Sequence, residues 1–175
     1  MSTATRTLIY VSQKKILLFA LFTFITLVPL TMVHSQFLTG PLVNAMLLLT
    51  CVLVGPTEAV ILSLFPSPMA LMSGLLPVAL APMIPFIMIG NALYVAVFHY
   101  LKPRSVILGI VAASGVKFLF LVASVRFVMG GLLASPLVAK LSVMMGWPQF
   151  ATALAGGAIA LLLLRIRGIQ REMQN

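Results

Sequence analysis

Charged side chains are missing from long stretches of this chain. Residues 16–33 follow Lys14 and Lys15 as an uncharged, apolar run, and comparable runs recur as far as Leu164. A helix crossing the hydrocarbon of a bilayer needs about 20 such residues, and lipid admits only backbones that satisfy their own hydrogen bonds. Of 175 residues, 62% are hydrophobic and 7% charged, whereas a soluble domain carries about 25% charged residues. No soluble fold of this length hides so much apolar surface. The expected class is an all-α, multi-pass membrane protein, with room for about five to seven spans.

The spans can be placed from punctuation. Residues 1–15 read as a short polar, basic arm, and residues 16–33 as the first span. No small-residue cleavage site follows it, so the run reads as a retained helix and not a removed signal. The stretch 42–72 is too long for one ordinary span. Gly55-Pro56 divides it, because proline suits the first turn of a helix and not its interior. A short second helix (42–54) and a third (from 57 toward Met72, broken at Pro66-Ser67-Pro68) result. That split puts Glu58 in a first turn, where the positive helix end and water meet it, and not at mid-bilayer, where a carboxylate costs a few kcal/mol. Further helices are expected at 83–101, 105–128 and 150–164, with a long loop over 129–149 and a basic tail from Arg165.

Six spans put both ends on one side. That side carries Arg6, Lys14, Lys15, Lys102, Arg104, Arg165, Arg167 and Arg171, and the other carries Arg126 and Lys140. Basic residues accumulate on the cytoplasmic side, so both ends are expected in the cytoplasm of a bacterial-type inner membrane. The same placement explains the net charge of +9 without a nucleic-acid partner.

Catalytic signatures do not emerge. There is no HExxH, no phosphate-binding GxxxxGK[ST] and no Cys/His cluster with metal spacing. His34 and His99 are far apart, and two carboxylates give little scope for paired acid–base work. The single cysteine, Cys51, reads as a small packed hydrophobe. The expectation is a protein that is not an enzyme and holds neither metal nor cofactor.

A polar constellation remains inside the apolar bulk. Lys117 lies thirteen residues past Arg104, roughly 20 Å along a helix. Asn91 lies eleven residues before Lys102, roughly 17 Å. Ser67 lies about ten residues into the third helix, roughly 15 Å, beside prolines that free backbone groups. Three polar features on three helices reach similar depth, as in a binding cavity. Each also has an ordinary structural reading: Asn91 as an interhelical hydrogen bond beside Gly90, Lys117 as a snorkelling side chain, the prolines as a kink, Arg126 as an interfacial charge, and Tyr94 and Trp147 as packing or interfacial anchors.

Several of these features together resemble the S components of energy-coupling factor (ECF) transporters, over residues 15–164. The carriers are the six-span plan, the polar first loop running into Leu38-Thr39-Gly40-Pro41-Leu42-Val43-Asn44-Ala45, the turn Leu53-Val54-Gly55-Pro56-Thr57-Glu58-Ala59, the pair Gly90-Asn91, and Lys117. The resemblance implies a substrate-binding subunit of an ECF-type importer. Such a subunit captures a vitamin-like or other small organic micronutrient from the outer face, then docks on a transmembrane coupling protein with two ATPase subunits. It also implies contacts from Gln36, Asn44, Asn91, Tyr94, Lys117 and Arg126, to which the constellation adds Ser67 and Trp147. Lys117 and Arg126 without a nearby carboxylate point to an anionic or electron-rich ligand. The first helix departs from the Ala-x-x-x-Ala docking patch of many members, since Ala20 stands among Phe19, Phe22 and Phe24. That leaves a shared ATPase module, a dedicated one and solitary action all open. The competing reading is a small membrane anchor or assembly subunit of another complex.

Overall fold

The computed structural model describes residues 3–31, 35–129, 131 and 135–166. Among the described residues every regular element is helical. Helix α1 covers Thr3–Thr31 and α2 covers Gln36–Leu53, followed by the short α3 (Pro56–Leu62) and α4 (Pro66–Met72). A 3₁₀ turn over Val78–Met83 leads into α5 (Ile84–Leu101). Helix α6 (Val106–Ser124) runs on as a wider π turn over Val125–Met129, and α7 (Ser135–Met144) and α8 (Trp147–Ile166) complete the chain. Five segments are long and apolar enough to cross a membrane: Ser12–Thr31, Gln36–Leu53, Val78–Leu101, Val106–Phe127 and Pro136–Ile166. The chain is therefore a multi-pass, all-α membrane protein. The expected end of the first span at Val33, His34, and the tail residues Arg167 and Arg171 lie outside the described residues.

Local chemistry sets most of the boundaries. Pro56 opens α3 and Glu58 sits in its first turn, the arrangement that the Gly-Pro split predicts. The Lys102-Pro103-Arg104 turn separates α5 from α6. Ser105 then caps α6, its hydroxyl accepting from the Leu108 amide at 3.3 Å, and satisfies one of the free amides of a helix start. Several boundaries differ from the sequence reading: α1 already begins at Thr3 and not at residue 16, taking in most of the expected arm, and α8 begins at Trp147 and not at residue 150. Helix α2 begins at Gln36 and not at residue 42, carrying Pro41 inside it. Pro41, the sixth residue of α2, forgoes the bond to the Phe37 carbonyl in the helix's second turn. The long loop expected over 129–149 contains α7. Pro136 is its second residue, where a missing amide costs nothing.

The exterior is apolar. Ile16, Phe19, Phe24, Ile107, Leu119 and Leu162 all face outward, as a lipid solvent allows. Inward, Leu21, Ile25 and Val28 of α1 recur at helical spacing and are buried. They join a core cluster with Leu47, Leu48, Tyr94, Phe98 and Leu164. A second cluster gathers Leu80 and Met83 of the 3₁₀ turn, Leu121, Val125, and Leu141 and Met145 at the end of α7.

Helices α2 and α8 approach so closely that glycine is required. A Cβ on Gly156 would lie 2.7 Å from the Pro41 carbonyl oxygen and 2.9 Å from the Ala45 nitrogen, and one on Gly40 would lie 2.9 Å from Thr152 Cβ. Small residues at Thr152, Gly156 and Ala160, each four apart, form the stripe on which α2 lies. Without a hydrophobic effect between helices in lipid, this close backbone contact supplies their cohesion.

Candidate functional site

A cavity of about 100 Å³ sits between the two core clusters. Its walls come from most of the bundle. Gln36, Thr39 and Asn44 descend the first turns of α2, Ser67 comes from α4, Asn91 from α5 and Lys117 from α6. Met144, Met145 and Gln149 close it from the α7–α8 turn, and Val43, Leu76 and Ile87 supply apolar wall. All these positions lie toward the same end of their helices. Asn91 is eleven residues from Lys102, so the cavity stands roughly 17 Å along α5 from the basic turn Lys102–Arg104. Helices α3 and α4 return the chain to that end, which is how Ser67 comes to share a wall with Gln36 and Asn44.

Lys117 is the centre of the polar groups. It is 3% exposed, and its ammonium donates to Asn44 Oδ1 at 2.8 Å. The ring of Tyr94 lies 5.5 Å from the same nitrogen, within reach of a cation–π attraction. Tyr94 is itself fixed, its hydroxyl donating to the Ala153 carbonyl of α8 at 2.8 Å. Glu58, the one acidic side chain among the described residues, belongs to the α2–α3 turn at the far end of α2. Among the described residues no carboxylate lines the cavity. An ammonium offers three donors, and one is used by Asn44.

Two hydroxyls on the cavity wall have no partner. Thr39 Oγ1 and Ser67 Oγ are both buried and unbonded among the described residues, although such groups are nearly always paired. At the rim, Gln36 Nε2 donates to the Met144 carbonyl at 2.8 Å, tying the start of α2 to the end of α7. Phe37 meets Trp147 beside it, ring centroids 5.6 Å apart.

Of the eight residues singled out from the sequence, Gln36, Asn44, Ser67, Asn91 and Lys117 line this one cavity. Tyr94 stands directly behind Lys117. Trp147 is 65% exposed and meets the rim through Phe37, outside the lining. Arg126 lies on the exposed side of the π turn, also outside the lining. Sequence reasoning passed over Thr39, Gln149 and the two methionines. Thr39 was within reach: Gln36, Thr39 and Val43 recur three and four apart, one helical face, once α2 is started at Gln36. No protein-family model, curated protein or solved structure matches this chain.

Proposed function

We propose that this chain is the substrate-binding subunit of an ECF-type importer, resident in the inner membrane with six spans and both ends in the cytoplasm. It captures a vitamin-like or other small organic micronutrient from the outer side and delivers it inward with a coupling protein and two ATPase subunits. The observation that carries the reading is the cavity itself. It brings Lys117, Asn44, Asn91 and Ser67 together from four helical segments, in the half of the bundle away from Lys102 and Arg104. By the positive-inside rule that half faces outward. In this orientation α3 and α4 together make the third crossing. Phe19 and Phe24 face outward from α1, so docking on the coupling protein goes through an aromatic face.

The cavity of about 100 Å³ is small beside the roughly 300–1,000 Å³ of pockets for drug-sized ligands. A large vitamin therefore requires the rim to move, and the Gln36–Met144 bond and the Phe37–Trp147 contact are what must part. The test is purification from the native membrane, with mass spectrometry of bound small molecules and partner proteins. A copurifying small molecule that the Lys117→Ala protein fails to retain is the expected result. Equal retention by that variant overturns the role of Lys117.

A second reading, an anchor or assembly subunit, draws on an apolar groove of about 280 Å³ between α1, α2 and α8, walled by residues such as Leu17, Phe24, Met46 and Leu163. That reading expects a copurifying protein other than an ATPase module, and no bound small molecule.

A further inference from the structure

We infer that the ligand of this cavity is a monocarboxylate with an apolar body, its carboxylate held by Lys117 and its adjoining carbons filling the remaining space. The inference rests on the substrate-binding reading above and narrows it to a chemical class.

Three observations converge. The first is charge. One ammonium, 3% exposed, faces a cavity that no carboxylate of the described residues lines. A buried cation without a counter-charge costs several kcal/mol, and a single negative charge placed there relieves that cost. A dianion would leave its second charge against Val43, Leu76 and Ile87, which is equally unfavourable. The second is the hydrogen-bonding inventory. Among the described residues Lys117 has two donors left after Asn44 Oδ1 takes one, and the hydroxyls of Thr39 and Ser67 are buried without partners. The Lys117 ammonium can only donate, the two hydroxyls can donate as well as accept, and a carboxylate supplies acceptors only. The third is size and polarity. A volume of about 100 Å³ is somewhat less than the engineered cavity of about 150 Å³ that takes up benzene. It suits a carboxylate and a few carbons. A sugar or nucleotide, with hydroxyls on every side, would leave most of them against apolar wall.

The test uses the full chain in lipid nanodiscs, titrated with butanoate, 3-methylbutanoate, the amide of each, and malonate. Binding is read by ligand-observed NMR and by the shift in melting temperature. The two monocarboxylates are expected to bind at least about tenfold more tightly than their amides, the scale of a charge-assisted hydrogen bond, and more tightly than malonate. Lys117→Met should abolish the preference for acid over amide. Thr39→Val and Ser67→Ala should each weaken carboxylate binding roughly three- to tenfold while melting like the parent. Should Lys117→Met not fold, the acid–amide comparison on the parent and the two hydroxyl variants still decide. Amides that bind as tightly as their acids overturn the inference. If no probe binds but a neutral molecule copurifies from the native membrane, this inference falls and the substrate-binding reading stands. If neither source yields a bound small molecule, both fall.

Discussion

The contact between α2 and α8 offers a test of whether close backbone packing holds this bundle together. In Gly156→Ala the new methyl would sit 2.5 Å from Asn44 Cβ, 2.7 Å from the Pro41 carbonyl oxygen and 2.9 Å from the Ala45 nitrogen. Carbon and oxygen tolerate roughly 3.3–3.6 Å and two carbons about 3.5–4.0 Å, so the two backbones must separate by at least about 0.6–0.9 Å. None of these atoms is a flexible side-chain end that could rotate away. Over-packing of this kind costs about 1–3 kcal/mol. Alanine also gains on glycine in any helix interior, by up to about 1 kcal/mol, which would blur a single measurement. Gly115 supplies the control: it lies inside α6, and a Cβ there meets nothing within 4 Å. The propensity gain is common to Gly156→Ala and Gly115→Ala, so the difference between them isolates the steric cost. Reversible unfolding in mixed detergent–lipid micelles should show Gly156→Ala less stable than Gly115→Ala by about 1–3 kcal/mol. Equal stabilities would refute the idea that α2 and α8 depend on that glycine.

Other perturbations follow from the same geometry. Asn44→Leu removes the acceptor of the Lys117 ammonium and should destabilise by about 1–3 kcal/mol; adding Lys117→Met should recover most of the loss, which a double-mutant cycle in the same micelles would read. Tyr94→Phe deletes the bond to the Ala153 carbonyl and should cost about 0.5–1.5 kcal/mol in equilibrium unfolding. Trp147→Ala, at an exposed ring contact, should change stability by less than about 1 kcal/mol, and a larger loss would mean that the rim contact is structural. For orientation, a cysteine at Ser105 in a Cys51→Ala background should react with an impermeant maleimide only from the cytoplasmic side, and reaction from outside in intact cells would reverse the topology.

What could be read from the sequence was mainly position along helix axes. The rise of about 1.5 Å per residue converts a count from Lys102 or Arg104 into a depth, and Asn91, Lys117 and Ser67 do meet in one cavity. The Gly55-Pro56 break was legible because proline's missing amide favours a first turn, and Glu58 follows from that. The start of α2 was not legible, because the same rule argued against a helix running through Pro41. The helix nonetheless runs through it, at the loss of one bond to the Phe37 carbonyl. Helix α7 was hidden for a related reason: glycines and prolines at its borders made residues 129–149 read as loop, although a proline at a second position opens a helix.

Rotation about the axis is harder to read than depth, and Arg126 shows why. It follows Lys117 by nine residues, two and a half turns at 3.6 residues per turn. A regular helix therefore puts the two on opposite faces. The membership of Arg126 in the site could have been questioned from that count alone, and it lies on the exposed side of the chain. Asn91 and Tyr94, three apart, share a face, and both reach the region of Lys117. Which face of α2 turns toward α6 is a different matter, since it depends on contacts between helices. Here Gly156 settles it: the stripe Gly40–Asn44 must lie against α8 for the backbones to touch, and that rotation leaves Asn44 Oδ1 at 2.8 Å from the Lys117 ammonium. A glycine with no chemistry of its own thus helps to set the partner of Lys117, the one cation lining the cavity among the described residues. Widening that contact should therefore weaken ligand binding as well as stability, although Gly156 is not part of the cavity lining.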